Sequence, residues 1–575
     1  MRKQIYILVL SVVLLFSASE FLAQDDRKVN FTGSARSLFY ADDLVQDTTA
    51  ADTVTVPKLN SGHVLVDLGV NIRPNKQTEI LGMVRIRNDY GGFWGAGVTF
   101  DVRQLYVKGV IGGIVRYQLG DINYKMTKYT MWNYDQELIS NTSSIFQQQT
   151  NVMNYDHFYY SDYSRRQQGA AAEFALVFSK VIKEIQFHAV TTRVKASDFA
   201  GTPDRLFSGL NANLIQSKFL EVGINYANMY DIPGTSKNKN NFVNPVTTAT
   251  VKAMYEMDSW KAIFDSEFGK SRTWYKNDSL APDWRGKFYS GTLAVGNKDW
   301  GLQVSLNNMY ISSEFRSPGA QTKRIEYNGL PKAYSRITNE QNARSFTMLD
   351  LMRESSFYNL QLRPYLMAFA PKYDNITPYG DATPNRQGYT LAAKYEKKDI
   401  PVVATISHME MQEVRGEGTK LPRKFSRNNV NATIRVNEFF PGWKKRFHIM
   451  VNYRDDQTTR QGEDLVRSVD LSTTAMSAGL EIEVLKSLDI LLGMQNITYK
   501  GFDYVAVRNG YSEIFNFNEY KVDGSEKMNA FGLRYRFSEN AFISAQMNKF
   551  MDVDVYSLLP SYSVNQFMLL FQMKF

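Results

Sequence analysis

The 575-residue sequence contains no cysteine and only five histidines. The first absence excludes disulfides, thiolate metal ligands, cysteine nucleophiles and the acylated cysteine of a lipoprotein anchor. The histidines, His63, His157, His188, His408 and His448, are scattered, and none stands in a His-Glu-x-x-His pattern. No Gly-x-Ser-x-Gly elbow occurs either. Catalysis has no motif to rest on, so no catalytic residue, metal or cofactor is expected. Beyond residue 23 there is no apolar run of about 18 residues, which leaves no helical membrane span. Strong charge of one sign is also missing. The 67 basic and 58 acidic side chains leave +9 over the whole chain. No dense basic block is present, so nucleic acid is not an expected partner.

Aromatics are abundant: 34 tyrosines and 36 phenylalanines, at a polar mean hydropathy of −0.35. That combination suits a barrel with a wet lumen and an apolar outer wall, and it equally suits an extracellular β-rich binding protein. Residues 1–23 have the layout of a secretory signal peptide. Arg2 and Lys3 precede an apolar stretch over residues 5–16, and small residues follow. Cleavage is expected after Ala23, with Ser19 as the other candidate because Phe21 stands where a small residue is usual. Residues 24–575 then form one unit.

After residue 27 the pattern is alternation. Val430-Asn431-Ala432-Thr433-Ile434-Arg435-Val436-Asn437 puts four apolar side chains on one face and four polar ones on the other. Residues 249–256, 447–454 and 531–537 repeat the scheme. Successive side chains point to opposite faces of a strand, so each segment has one apolar and one wet face. The segments run to about 10 residues, the length that a tilted strand needs to cross a bilayer. Short connectors (74–77, 112–113, 216–218, 297–299, 397–399, 538–540) alternate with long ones (41–59, 127–166, 231–243, 312–384, 414–425, 455–466, 502–526). The expected fold is an all-β transmembrane antiparallel β-barrel of about 22 strands, within a range of 16 to 24, with short periplasmic turns and long extracellular loops. Residues 312–384 read as one long loop able to fold into the lumen, because Pro364 removes a ladder donor after Asn359–Arg363. Alternation begins near Asn30, which leaves no room for a plug domain ahead of the first strand.

The last segment places Phe567, Leu569, Phe571, Met573 and Phe575 on one face. It resembles the C-terminal recognition signal of bacterial outer-membrane barrels, which implies insertion by the barrel-assembly machinery. Arg103-Gln104-Leu105-Tyr106-Val107 followed by Arg116-Tyr117-Gln118-Leu119-Gly120-Asp121 resembles the early strands of porin-like families. The Ala-Gln junction and the Asn/Tyr-rich style are similar to exported barrels of Bacteroidota. These resemblances imply a Gram-negative outer membrane, surrounding lipid, and a passive, cofactor-free channel for small polar solutes.

Arg85, Arg87, Arg103 and Arg116 lie on three consecutive expected strands, and Arg435, Arg454, Arg534 and Arg536 on later ones. A charge on the lipid face costs about 2–4 kcal/mol near the midplane, so the lumen is their cheap location. One reading is a basic track for anionic solutes. The plainer reading is pairing with lumen acids such as Glu79, Asp121, Glu256, Asp265 and Glu267. Tyr155, Phe158, Tyr159, Tyr160 and Tyr163 form an aromatic loop able to bind sugars or a protein, or to serve as an interfacial girdle. Besides the channel, an alternative remains: a loop-occluded barrel acting as an interaction subunit of an envelope secretion or assembly complex.

Overall fold

The computed structural model describes residues 28–46, 59–90, 97–131, 143–158, 167–324, 344–354, 368–462, 468–509, 513–557 and 560–575. Residues 1–23, where a signal peptide is expected, lie outside them. Twenty-two strands follow one another along the chain. The first seven are β1 (Val29–Gln46), β2 (Leu59–Asn75), β3 (Thr78–Asp89), β4 (Val98–Ile111), β5 (Val115–Ile122), β6 (Gln167–Val177) and β7 (Glu184–Lys195). Next come β8 (Arg205–Ser217), β9 (Leu220–Asp231), β10 (Asn241–Met257), β11 (Trp260–Lys276), β12 (Trp284–Asn297), β13 (Leu302–Ile311) and β14 (Arg386–Lys397). The last eight are β15 (Ile400–Gln412), β16 (Lys424–Arg435), β17 (Phe447–Arg460), β18 (Val469–Leu485), β19 (Leu488–Arg508), β20 (Ile514–Ser538), β21 (Ala541–Asp554) and β22 (Tyr562–Lys574). Each pairs antiparallel with the next, and β22 returns to β1 with Ser37 opposite Phe571 and Ala35 opposite Met573. The sheet closes on itself and has no free edge. The architecture and the number of strands are those expected from the alternation. No helix among the described residues is long and apolar enough to cross a membrane.

Turn chemistry sorts the connectors to two ends. Both termini of the barrel and all the short turns share one end, which we take as periplasmic. Gly112 and Gly113 make the β4–β5 turn with φ of 59° and 72°, values that a tight hairpin demands and that glycine meets without strain. The seam needs a glycine for a different reason. Gly33 exchanges both backbone hydrogen bonds with Phe575, at 2.8 and 3.0 Å, and a Cβ there would lie 2.1 Å from the Asp67 carbonyl oxygen. Truncation of residues 571–575 is expected to remove this closing register and to abolish the heat-modifiable band of the folded barrel on unheated gels. A truncated chain that still migrates as a compact barrel would show that closure does not need these residues.

The outer wall carries a band of apolar side chains with a sharp upper edge. On β15–β18, Ile406, Val430, Tyr453 and Met476 lie side by side across the ladder, all exposed. Two residues further along, the same face reads His408, Asn428, Asp455 and Thr474. At the short-turn end the rim is aromatic: Trp260 and Trp300 meet at 5.2 Å, and Phe440, Trp443 and Phe447 follow one another at 5.9 and 5.7 Å. An apolar band flanked by ring-bearing residues is the solution to a lipid surround. Within 502–526, expected as a loop, residues 502–508 and 514–526 instead extend β19 and β20 into a tall hairpin of 21- and 25-residue strands. Beyond Asn496 the outward face of β19 turns polar with Thr498 and Lys500, so the apolar alternation that marks a spanning strand disappears. Ile497, Tyr499 and Val522 stay buried on the inward face, and the backbone ladder continues.

Candidate functional site: the lumen and its inward loops

At the end opposite the short turns, the described parts of two long connections pack inside the barrel. The first, between β5 and β6, includes helix α1 (Ser144–Phe158), and the second, between β13 and β14, includes the short helix α2 (Met348–Arg353). Ile145, Phe146, Val152 and Met153 of α1 pack with Phe346, Leu349 and Met352 of the second loop. The wall meets them with Leu38, Tyr40, Leu491, Tyr499, Phe550 and Leu570. A second apolar cluster brings Tyr129, Phe315 and Ile376 against Phe207, Phe242, Phe288 and Phe425. The Tyr129 and Phe288 rings stack at 4.1 Å. Burying each such side chain contributes about 1.5–3 kcal/mol, so these loops are parts of the core. The two loops are also tied together: Asn154 accepts from the Phe346 N–H at 2.7 Å and donates to its carbonyl at 3.1 Å.

The polar anchors converge on the last turn of α1. Asp156 is buried and receives the guanidiniums of Arg36 and of Arg85, the latter at 2.8 Å. Arg85 also makes a bidentate pair with Asp67 at 2.7 Å for each bond, and His63 accepts from Arg36. Arg103 donates to the carbonyls of Tyr155 and Asp156 at 2.6 and 2.8 Å, and the Tyr155 ring lies 4.8 Å from its guanidinium carbon. The carbonyls at a helix C-terminus lack intrahelical partners and carry partial negative charge, so an arginine there satisfies and stabilises them. Burial alone pushes the Asp156 carboxyl up, but Arg36 and Arg85 outweigh it and hold it below the usual carboxylate range.

The second loop is pinned in the same manner. Thr347 and Asp350 form a capping box at the start of α2, and Asp350 also takes Arg344 at 2.7 Å and Arg353 at 2.8 Å. Arg353 reaches on to Glu526 of β20, which accepts from the Tyr373 hydroxyl at 2.5 Å. Asp374 is held by Lys323 at 2.5 Å and Arg427 at 3.1 Å. Its carboxyl, pushed up by burial, is drawn well below the usual range by those two cations.

The eight arginines singled out in the sequence all face the lumen side, and each is held by acceptors, though not by the acids expected. Arg85 and Arg103 meet at α1, while Arg87 bonds Asp89 at 2.8 Å. Arg116 pairs with Glu173 at 3.2 Å and stays 73% exposed near the periplasmic end. Arg435 bonds Glu438 at 2.9 Å, and Arg454 bonds Asp456 at 2.6 Å. Arg534 and Arg536 share Asp489 at 2.8 and 3.1 Å. Tyr155 lies inside the barrel against Arg103. Phe158 ends α1, its side chain outside the described residues together with Tyr159, Tyr160 and Tyr163. Phe567, Leu569, Phe571 and Met573 line the outer face of β22 beside β1.

Arg36, His63, Asp67 and Asp156 are the members that sequence reasoning missed. Even Asp67 was hidden: the turn at 76–77 pairs Asn75 with Thr78, and only a register shift between Ile72 and Asn75 brings Asp67 opposite Arg85. Among the described residues no cluster of metal-ligating side chains occurs.

The lumen thus holds a wall-anchored plug inside a closed barrel. No protein-family model and no curated protein matches this chain. Among solved structures, it is similar to Pseudomonas aeruginosa OccK8 (OprE) at 9% identity and a TM-score of 0.37, over 96% of this chain and 100% of that one. A BenF-like porin from Pseudomonas fluorescens Pf-5 is similar at 8% identity and a TM-score of 0.34, over 96% and 99%. The P pilus usher (PapC) translocation pore is similar at 9% identity and 0.37, over 95% and 99%.

Proposed function

We propose that this protein is an outer-membrane channel for small polar solutes, anions favoured, whose bore is set by its own two inward loops. The observation carrying this reading is the plug itself. A closed barrel of 22 strands encloses far more space than a small solute needs, and α1 and the second loop take up the excess with side chains locked to wall arginines. The expected lipid contact is the outer apolar band, and the expected assembly contact is the apolar face of β22. Liposome swelling tests the channel: glycine-sized solutes should enter reconstituted vesicles while trisaccharides are excluded, and a KCl gradient should give an anion-selective reversal potential. Equal entry of trisaccharides and small solutes would sink the reading.

A second reading is an interaction subunit of an envelope machine. It is favoured by one observation, that two apolar clusters pack the inward loops against the wall with hydrocarbon as well as charge. Its mark would be vesicles that admit none of these solutes, together with envelope proteins that copurify stoichiometrically with the barrel.

A further inference from the structure

Below the plug, on the periplasmic side, the lumen keeps a cavity of about 870 Å³. Its walls come from the β2–β3 turn, from β4, β5, β6 and β7, and from residues 122–124 where the first loop begins. Five fixed cations line it (Lys28, Arg73, Lys76, Lys108 and Arg116) against two carboxylates, Glu79 and Glu173, which leaves three positive charges in excess. Each carboxylate is already shared between two bases. Glu79 takes Lys108 at 3.0 Å and Arg73 at 3.6 Å, and Glu173 takes Arg116 at 3.2 Å and His188 at 3.1 Å. The acids therefore hold the cations in place without neutralising them. Arg73, Lys108 and Arg116 remain 51%, 45% and 73% exposed to the cavity and the solvent. Between the charges lie apolar surfaces from Val110 and Tyr124.

The geometry points to a binding site for an organic polyanion entering from the periplasm, a solute with two or more carboxylate or phosphate groups on a compact carbon body. A single carboxylate would meet only part of the charge excess, whereas a polyanion engages cations held on separate strands at once. Concave, low-dielectric walls strengthen that attraction over the same cations on an open surface. The cavity volume falls within the usual range of about 300–1,000 Å³ for small-molecule sites. The apolar wall adds a contact that inorganic phosphate cannot use. This assignment deepens the anion preference proposed above, yet it does not require the barrel to conduct.

The test is equilibrium titration of the full folded chain in detergent with citrate and, separately, with inorganic pyrophosphate, at low salt. Saturable binding of citrate is expected, weakening as salt screens the charges. Binding of pyrophosphate alone would overturn the organic-body part of the assignment. The variant Arg73→Gln/Arg116→Gln should weaken citrate by about tenfold or more, roughly 1.4 kcal/mol for each factor of ten. It should retain the heat-modifiable band, and the single variant Lys76→Gln, at the turn and without a role in the Glu79 or Glu173 pairs, should weaken binding to a lesser degree. No binding by the wild-type chain at millimolar citrate, or equal affinity in all three proteins, would overturn the site. Binding without solute passage in the vesicle assay would support the site while contradicting the channel, so the two failures are distinguishable.

Discussion

Asp156→Asn is expected to raise the single-channel conductance of the reconstituted barrel several-fold and to make openings flicker. The carboxylate is the meeting point of Arg36 and Arg85, and the adjoining carbonyls take Arg103. Neutralising it leaves buried guanidiniums facing one another across the last turn of α1. Removing one partner of a buried pair costs about 3–5 kcal/mol, because the remaining charge cannot be rehydrated in place. The cheapest relief is for α1 to leave the wall and let water in. The direction of the pKa shift adds a pH corollary. A carboxyl held below its ordinary range contributes stability that is fully present above that range and is lost only as pH falls through the depressed value. Acidification from neutral to the ordinary aspartate range should therefore leave the wild-type conductance unchanged. A latch that opens by pH 5 would place the control elsewhere.

Glu526→Gln should release the second loop. Glu526 is fully buried on β20 and receives Arg353 and the Tyr373 hydroxyl. Arg353 keeps Asp350 at 2.8 Å, so α2 itself should survive while its hold on the wall is lost. The expected cost is again about 3–5 kcal/mol, paid locally by the loop because the barrel ladder is untouched. Limited trypsin digestion of the folded barrel should then cut at Arg344, Arg353 or Lys372, which the wild type protects. A variant as resistant as the wild type would mean that the apolar cluster around Met348, Leu349 and Leu351 suffices to hold the loop.

The barrel was legible because its rule is local. Alternation such as Val430–Asn437 and turn residues such as Gly112-Gly113 declare themselves within a few residues. The plug was not legible in the same way. Its anchors join Arg36, Arg85 and Arg103 to Asp156, positions that only the closed fold brings together, and α1 has little amphipathic period because walls surround it. Isolated signals did exist. Leu38-Phe39-Tyr40, Ile490-Leu491-Leu492 and Met568-Leu569-Leu570 are apolar on both faces, which a water-filled lumen would not tolerate and a filled one requires. The arginines were placed on the right face by the cost of charge in lipid, but their partners depended on where two loops fold.

The most direct test of the account is single-channel conductance of the wild-type chain beside the Asp156→Asn/Glu526→Gln double variant, in the same bilayer and salt. The account predicts a small, anion-selective conductance in the wild type and large, stable openings in the variant, with the barrel's heat-modifiable mobility preserved. A wild type that already conducts as a wide pore, or a double variant indistinguishable from it, would contradict the claim that these two loops set the bore.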